Sequence, residues 1–165
     1  MFREMRRNRQ QLDAAECERI LKERCVAVLA LSGDDGYPYS VPVNYCYTDG
    51  KIIFHCAKVG HKLDAIRRAD KVSLCVIDKA DVVPDELTSY YRSVIVFGRA
   101  RILEDAEEIR RAAETFSCKY SRKPETVPAY VNGSMSALCC VEISPEHISG
   151  KEAKELVQLR ANGAL

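Results

Sequence analysis

Tyr39-Ser-Val-Pro-Val-Asn-Tyr-Cys-Tyr47 is the stretch on which the fold turns. Tyr39, Val41, Val43, Tyr45 and Tyr47 fall on one face, and Ser40, Pro42, Asn44 and Cys46 on the other. This period of two belongs to a half-buried β-strand. Pro42 has no N–H to give to a ladder, so the strand should carry an interruption or an unpaired position there, available to a ligand. Immediately downstream, Thr48-Asp-Gly-Lys51 reads as a two-residue hairpin, because Asp-Gly accepts the positive φ angles of a type I′ turn, and Ile52–Ala57 (IIFHCA) is the returning strand.

Outward from this hairpin, Cys25–Leu31 (CVAVLAL) is short, β-branched and closed by the turn signal SGDDG, a second strand. Leu12–Arg24 before it reads as a helix with Asp13 as N-cap and Ile20 and Leu21 in its apolar stripe. After Gly60, HKLDAIRRAD predicts a short helix with Leu63 and Ile66 facing inward, and Lys71–Ile77 a further strand. A loop containing Val83-Pro84 leads to the long alternating run Tyr90–Leu103, with Gly98 as a bulge or bend. Glu104–Tyr120 is a helix, acidic at its start and carrying Ile109, Ala112, Ala113 and Phe116 as its buried stripe, and reads as scaffold. Arg122–Ser134 is a loop by its Pro and Gly content, Ser136–Ser144 a last strand, and the tail beyond Pro145 holds a weak helix, Glu152–Leu159. The expectation is an α+β protein: a mainly antiparallel six-stranded sheet, curled into a small barrel by its long bent strands, with two to three flanking helices. No alternating βαβ pattern, GxGxxG or P-loop supports a Rossmann-type sheet.

The chain of 165 residues, 47% hydrophobic and 30% charged, fits a single domain, residues 1–165, with a basic N-terminal arm (1–11) and a C-terminal tail (145–165). A net charge of +1 gives no global attraction for nucleic acid or an anionic membrane, so any anion site must be local. Arg3, Arg6, Arg7 and Arg9 read as a solvated terminus, and Tyr37, Tyr39, Tyr45 and Tyr47 lack the interleaved Lys or Arg of a base-stacking platform. No nucleic-acid partner is expected. No signal peptide is readable behind the basic start, and the longest apolar run, Cys25–Leu31, falls far short of the roughly 20 residues of a membrane span. A cytoplasmic location with reduced thiols follows, and the eight cysteines, with no CxxC pair for a metal, pack as small hydrophobes.

The densest polar constellation is Phe54-His-Cys-Ala-Lys-Val-Gly-His-Lys-Leu63, which gathers His55, Lys58, His61 and Lys62 where a strand ends and a helix begins. Orphan helix N–H groups, a glycine that allows close backbone approach and a lysine charge make an anion site. A solvated basic turn is the alternative reading, and His55 alone could be a satisfied strand histidine. No HExxH or GxSxG element suggests hydrolysis.

Taken in order, GYPYSVPVNYCY, DGKIIFHCAKVGHKLDAI and YRSVIVFGRARIL resemble the flavin-binding split β-barrel proteins related to pyridoxamine 5′-phosphate oxidase, and within them the 5-nitroimidazole resistance branch. The resemblance spans about Arg6–Gly150. It implies a homodimer with FMN in clefts at the interface and a small-molecule substrate. Val41, Pro42, Val43 and Asn44 would lie along the isoalloxazine, with Lys58, His61 and Lys62 in the anion-binding turn. His55 and Lys62 would flank the phosphate or nearby ring atoms, Ser93 would complete the site, and His55 would be the catalytic group. The oxidases hold their substrate with a C-terminal Trp and an Arg-x-His element. This chain has no Trp and ends QLRANGAL, which argues against pyridoxal phosphate synthesis and leaves reduction of nitroaromatic or other electron-poor compounds. A non-catalytic flavin- or haem-binding module, with His55 or His61 as iron ligand, is the alternative.

Overall fold

The structure is a computed structural model describing residues 2–163; Met1, Ala164 and Leu165 lie outside the described residues. The elements are α1 (Ala14–Glu23), β1 (Val26–Ser32), β2 (Pro38–Asn44), β3 (Cys46–Thr48), β4 (Lys51–Ala57), α2 (His61–Arg68), β5 (Lys71–Val83), β6 (Thr88–Ile102), α3 (Ala106–Tyr120), α4 (Val127–Ser134), β7 (Leu138–Glu152) and α5 (Lys154–Ala161). The architecture is α+β. Seven strands, not six, form one antiparallel sheet in the order β2-β1-β5-β6-β7-β4-β3, and five α-helices, not two or three, flank it among the described residues.

The extra strand arises where Tyr39–Tyr47 divides. The interruption falls not at Pro42, which pairs with Val28, but at Tyr45, between β2 and β3. Strand β2 is an edge, where one row of backbone groups needs no partner and proline is tolerated. The two edges of the sheet are therefore consecutive in the chain, joined by one residue. β2 also comes into contact with β4, so the sheet curls until its ends meet without closing a hydrogen-bonded barrel.

Two departures have local causes. The last strand runs through Pro145 to Glu152, because Pro145 sits at a register irregularity opposite Gly98. A Cβ at Gly98 would approach the Ser144 carbonyl oxygen to 2.5 Å, so glycine is required for the two strands to close there. The segment read as a loop, 122–134, contains α4, whose Pro128 falls in its first turn, where the missing N–H costs nothing.

The core lies in two parts. Ile20, Leu21, Leu29, Phe54, Leu74, Val94 and Ile143 lead the main cluster inside the curled sheet. Beneath α3 and α4 a smaller one gathers Ile53, Ala112, Phe116, Val131 and Cys140. Strand alternation feeds both, sending Ile52 and Phe54 to the main core and Ile53 to the helix side, and separating Cys139 from Cys140 in the same way. All eight cysteines are free, four of them buried.

In the N-terminal arm Arg3, Arg6, Arg7 and Arg9 are exposed, as a solvated terminus requires, while its first described residue packs back on the sheet. Phe2 stacks on His147 and Phe97 with centroids 4.7 and 5.4 Å away, on the outer face of the sheet. Away from the arm, that face exposes Val26, Val28, Ile77 and Ile95. At the end of β7, fully buried Glu152 meets Arg92 at 3.1 Å and also contacts Arg160. Arg92 reaches Asp78 and Glu16 at 3.5 and 3.4 Å. Asp78 is the residue at the register shift in β5, which turns its carboxylate toward Arg24 and Arg92. No helix among the described residues is long and apolar enough to cross a membrane.

Candidate functional site

Where the ends of the sheet meet, a cleft of about 330 Å³ is lined by Pro42, Val43 and Asn44 of β2, His55 of β4, Lys62 of α2, and Phe116 and Tyr120 of α3. Five of the residues singled out in the sequence thus converge: Pro42, Val43, Asn44, His55 and Lys62. Strand alternation explains His55. It points to the same side as Ile53, toward α3, where its ring meets Phe116 edge to face at 4.4 Å. Partial burial there draws the imidazole below its ordinary pKa and favours the neutral form.

Tyr120 fixes the seam. Its hydroxyl lies 2.7 Å from the Tyr45 carbonyl oxygen and 2.9 Å from that of Cys25, and accepts from the Tyr45 N–H at 3.1 Å. Lys119 donates to the Tyr45 carbonyl at 3.2 Å and lies 4.6 Å from the centroid of the Tyr45 ring. The Asn44 amide donates to the Cys25 carbonyl at 3.2 Å, which orients it at the cleft. Burial pushes the Tyr120 phenol up to about 12, so it remains a neutral donor. Phe116 and Tyr120 escaped the sequence reading, which took their helix as scaffold; their i, i+4 spacing on one helix face was the available signal.

The remaining candidates lie elsewhere in the single chain. His61 stacks on Tyr39 at 4.1 Å and sits 3.1 Å from Asp34, facing the turn after β1. Lys58 is exposed beyond the end of β4, and Val41 packs against the main core. Ser93 lies on β6, paired with Ile77 and Lys151 and two strands away from β4.

The cleft lining includes no carboxylate, whereas Lys62, Asn44 and His55 offer donors and the uncapped N-terminus of α2 adjoins it. This donor set suits an anionic group beside a flat ring that carries hydrogen-bond acceptors.

The sequence profile of pyridoxamine 5′-phosphate oxidase matches residues 13–152. No curated protein matches the chain. Among solved structures, a candidate 5-nitroimidazole antibiotic resistance protein from Bacteroides thetaiotaomicron superposes with a TM-score of 0.74 at 20% identity, covering 86% of each chain. An FAD-binding protein from Mesorhizobium loti is similar over 87% of this chain and 97% of its own, with a TM-score of 0.62 and 24% identity. The FAD- and haem-binding protein from Mycobacterium smegmatis covers 88% of this chain and 74% of its own, with a TM-score of 0.76 and 16% identity. At these identities the likeness is one of fold, whereas the profile spans most of the sequence, and by it this chain belongs to the pyridoxamine 5′-phosphate oxidase family.

Proposed function

We propose that this chain is an FMN-dependent oxidoreductase that works as a homodimer and reduces small electron-poor compounds, nitroaromatics among them. The observation that carries the reading is the convergence of Asn44, His55 and Lys62 on one carboxylate-free cleft. Lys62 and the start of α2 provide one anion site, which suits the single phosphate of FMN better than the pyrophosphate of FAD. Bound flavin supplies the electron transfer. Pro42, Val43 and Asn44 would hold the ring, Lys62 the phosphate, and Phe116 would exclude water from the His55 side. His55 would hold and deliver the proton that accompanies reduction. Because its pKa is lowered, the protonated fraction grows only as pH falls below the ordinary histidine value of about 6.5. A His55-dependent proton step therefore accelerates on acidification.

The homodimer is supported by Val26, Val28, Ile77 and Ile95, which leave an apolar outer face, and by the half-buried Ser93 on β6 beside it. Ser93 is remote from its own cleft, so a second copy would have to bring it to a flavin. Free thiols at every cysteine suit the reducing cytoplasm.

The test is the absorption spectrum of the purified protein followed by FMN titration: two flavin bands and saturable quenching are expected, and failure to bind FMN at micromolar concentration overturns the reading. His55→Ala should retain FMN and lose the acid limb of turnover; a variant with unaltered rates and pH profile ends its catalytic role. Sedimentation should give a dimer, and a monomer that binds FMN tightly contradicts the interface site. A second reading, a non-catalytic flavin- or haem-binding module, is favoured by the exposed His55 in the cleft and the likeness to the mycobacterial FAD- and haem-binding protein. It would be marked by a Soret band or by flavin that no nicotinamide donor reduces.

A further inference from the structure

Eight thiols are free in this chain, and the register of the sheet sets two of them face to face. Cys56, near the end of β4, lies directly opposite Cys139 at the start of β7. The strands are antiparallel neighbours, so the two Cα atoms take the spacing of about 4.5–5.5 Å that such pairs adopt, within the range a disulfide spans. Both side chains turn to the same side. Cys139 belongs to the main core cluster and Cys56 packs against it, and the two thiols are close enough to hydrogen bond. No other two cysteines are so placed. Cys46 and Cys140 sit in the smaller cluster on the other face, with β4 lying between their strands. Cys75 faces Val28 and Ile95, Cys17 packs over Gly150, and Cys25 and Cys118 are exposed.

We propose that Cys56 and Cys139 form a reversible disulfide, a redox-sensitive staple that joins β4 to β7 beside the cleft. The co-reactant is a peroxide. It oxidises the Cys56 thiol to a sulfenic acid as its O–O bond breaks and one water leaves; the Cys139 thiol then displaces the second water as the S–S bond forms. Access is divided accordingly. Cys56 is half-buried and meets the oxidant first, whereas Cys139 is 7% exposed and closes the bridge from the core side. Burial pushes the Cys56 thiol up to about 11, against the opposing pull of the Lys62 ammonium, so the pair stays protonated and quiet until oxidant accumulates. The partial exposure of Cys56 also leaves the bridge within reach of other thiols, as in the disulfides that reopen. Position gives the staple its consequence. Cys56 directly follows His55, and the chain beyond Ala57 leads through Gly60 into α2 and Lys62. Closure therefore fastens the strand end from which the cleft's imidazole and ammonium both extend. No cofactor is needed for it.

The experiment is treatment of the reduced full-length protein with hydrogen peroxide, followed by non-reducing tryptic mapping in a mass spectrometer. The peptide Ile52–Lys58 should appear joined to the peptide that carries Cys139 and Cys140, with fragmentation placing the bond on Cys139. The oxidised protein should melt about 5 °C or more above the reduced one, the scale of a bridge between residues far apart in the chain. An excess of reduced glutathione should reverse both changes. Cys56→Ala and Cys139→Ala, treated in the same way, should show neither the bridge nor the rise, which separates the staple from oxidation at exposed Cys25 and Cys118. Absence of the joined peptide, a bond to Cys140, an oxidised protein that melts no higher than the reduced one, an equal rise in Cys56→Ala, or a bridge that glutathione does not reopen overturns the proposal. If Cys139→Ala does not fold, the wild-type map and Cys56→Ala, altered at a partly exposed site, decide it alone.

Discussion

Two polar clusters tie this sheet to its helices, one across the interior strands and one at the seam, and they are built on opposite plans. Around Glu152 the groups are charged and mutually engaged: Arg92 serves Glu152, Asp78 and Glu16 together, and Arg160 closes the set. At the seam the tethers are neutral or backbone groups, with the Tyr120 hydroxyl between the Tyr45 and Cys25 carbonyls and Asn44 on the latter. The first cluster binds α1, β5, β6, β7 and α5 into one body. The second does the same for β1, β2 and α3, yet leaves donors on His55 and Lys62 facing a cleft. Tethering and ligand binding separate where polar valence is left over: the ionic cluster is shut because its charges are paired, and the seam is receptive because some of its donors are not.

The sharpest way to break this contrast is at the ionic cluster. Arg92→Leu strands a fully buried carboxylate and should cost about 3 kcal/mol or more in urea unfolding, with FMN affinity unchanged in the folded fraction. A loss below about 1 kcal/mol would mean that Arg160 alone satisfies Glu152. Tyr120→Phe comes next. It removes one hydroxyl serving several backbone groups and should lower stability by about 1 to 2 kcal/mol while also weakening FMN, so that here, unlike at Arg92, stability and binding fall together. Lys62→Ala should leave the melting temperature alone and weaken FMN by about 1 kcal/mol or more in a fluorescence titration; unchanged affinity removes Lys62 from the site. The smallest effect concerns pH. Since folding lowers the His55 pKa, the unfolded chain binds more protons as pH falls through the unfolded value. Stability is then greatest above that value and declines on acidification toward the folded one. His55→Gln should flatten this decline between pH 7 and 5 in thermal melts, and identical profiles would show that the desolvation has no thermodynamic weight.

Most of the fold was legible because its signals are local. Asp13 caps α1, accepting from the Glu16 N–H at 2.8 Å; Asp49 and Gly50 take the positive φ values of their turn; Gly98 marks a register shift. What escaped depends on partners distant in sequence. The continuation of β7 past Pro145 requires Gly98 opposite, and the break at Tyr45 is fixed by Tyr120 from a helix 75 positions away. The same divide runs through the site. Pro42 to Asn44, His55 and Lys62 stand in one short span whose residue types suggested binding, but the wall of Phe116 and Tyr120 carries no motif and reads as packing until α3 is in place.

The one-residue joint at Tyr45 also bears on self-association. Open antiparallel sheets are vulnerable at their edges, where unpaired strands recruit other chains into aggregates. Here the two edge strands flank Tyr45; one carries Pro42 in its middle and the other is only three residues long. Neither offers a long, flat row of free amides and carbonyls. The sheet can therefore stay open without presenting a template for misassembly.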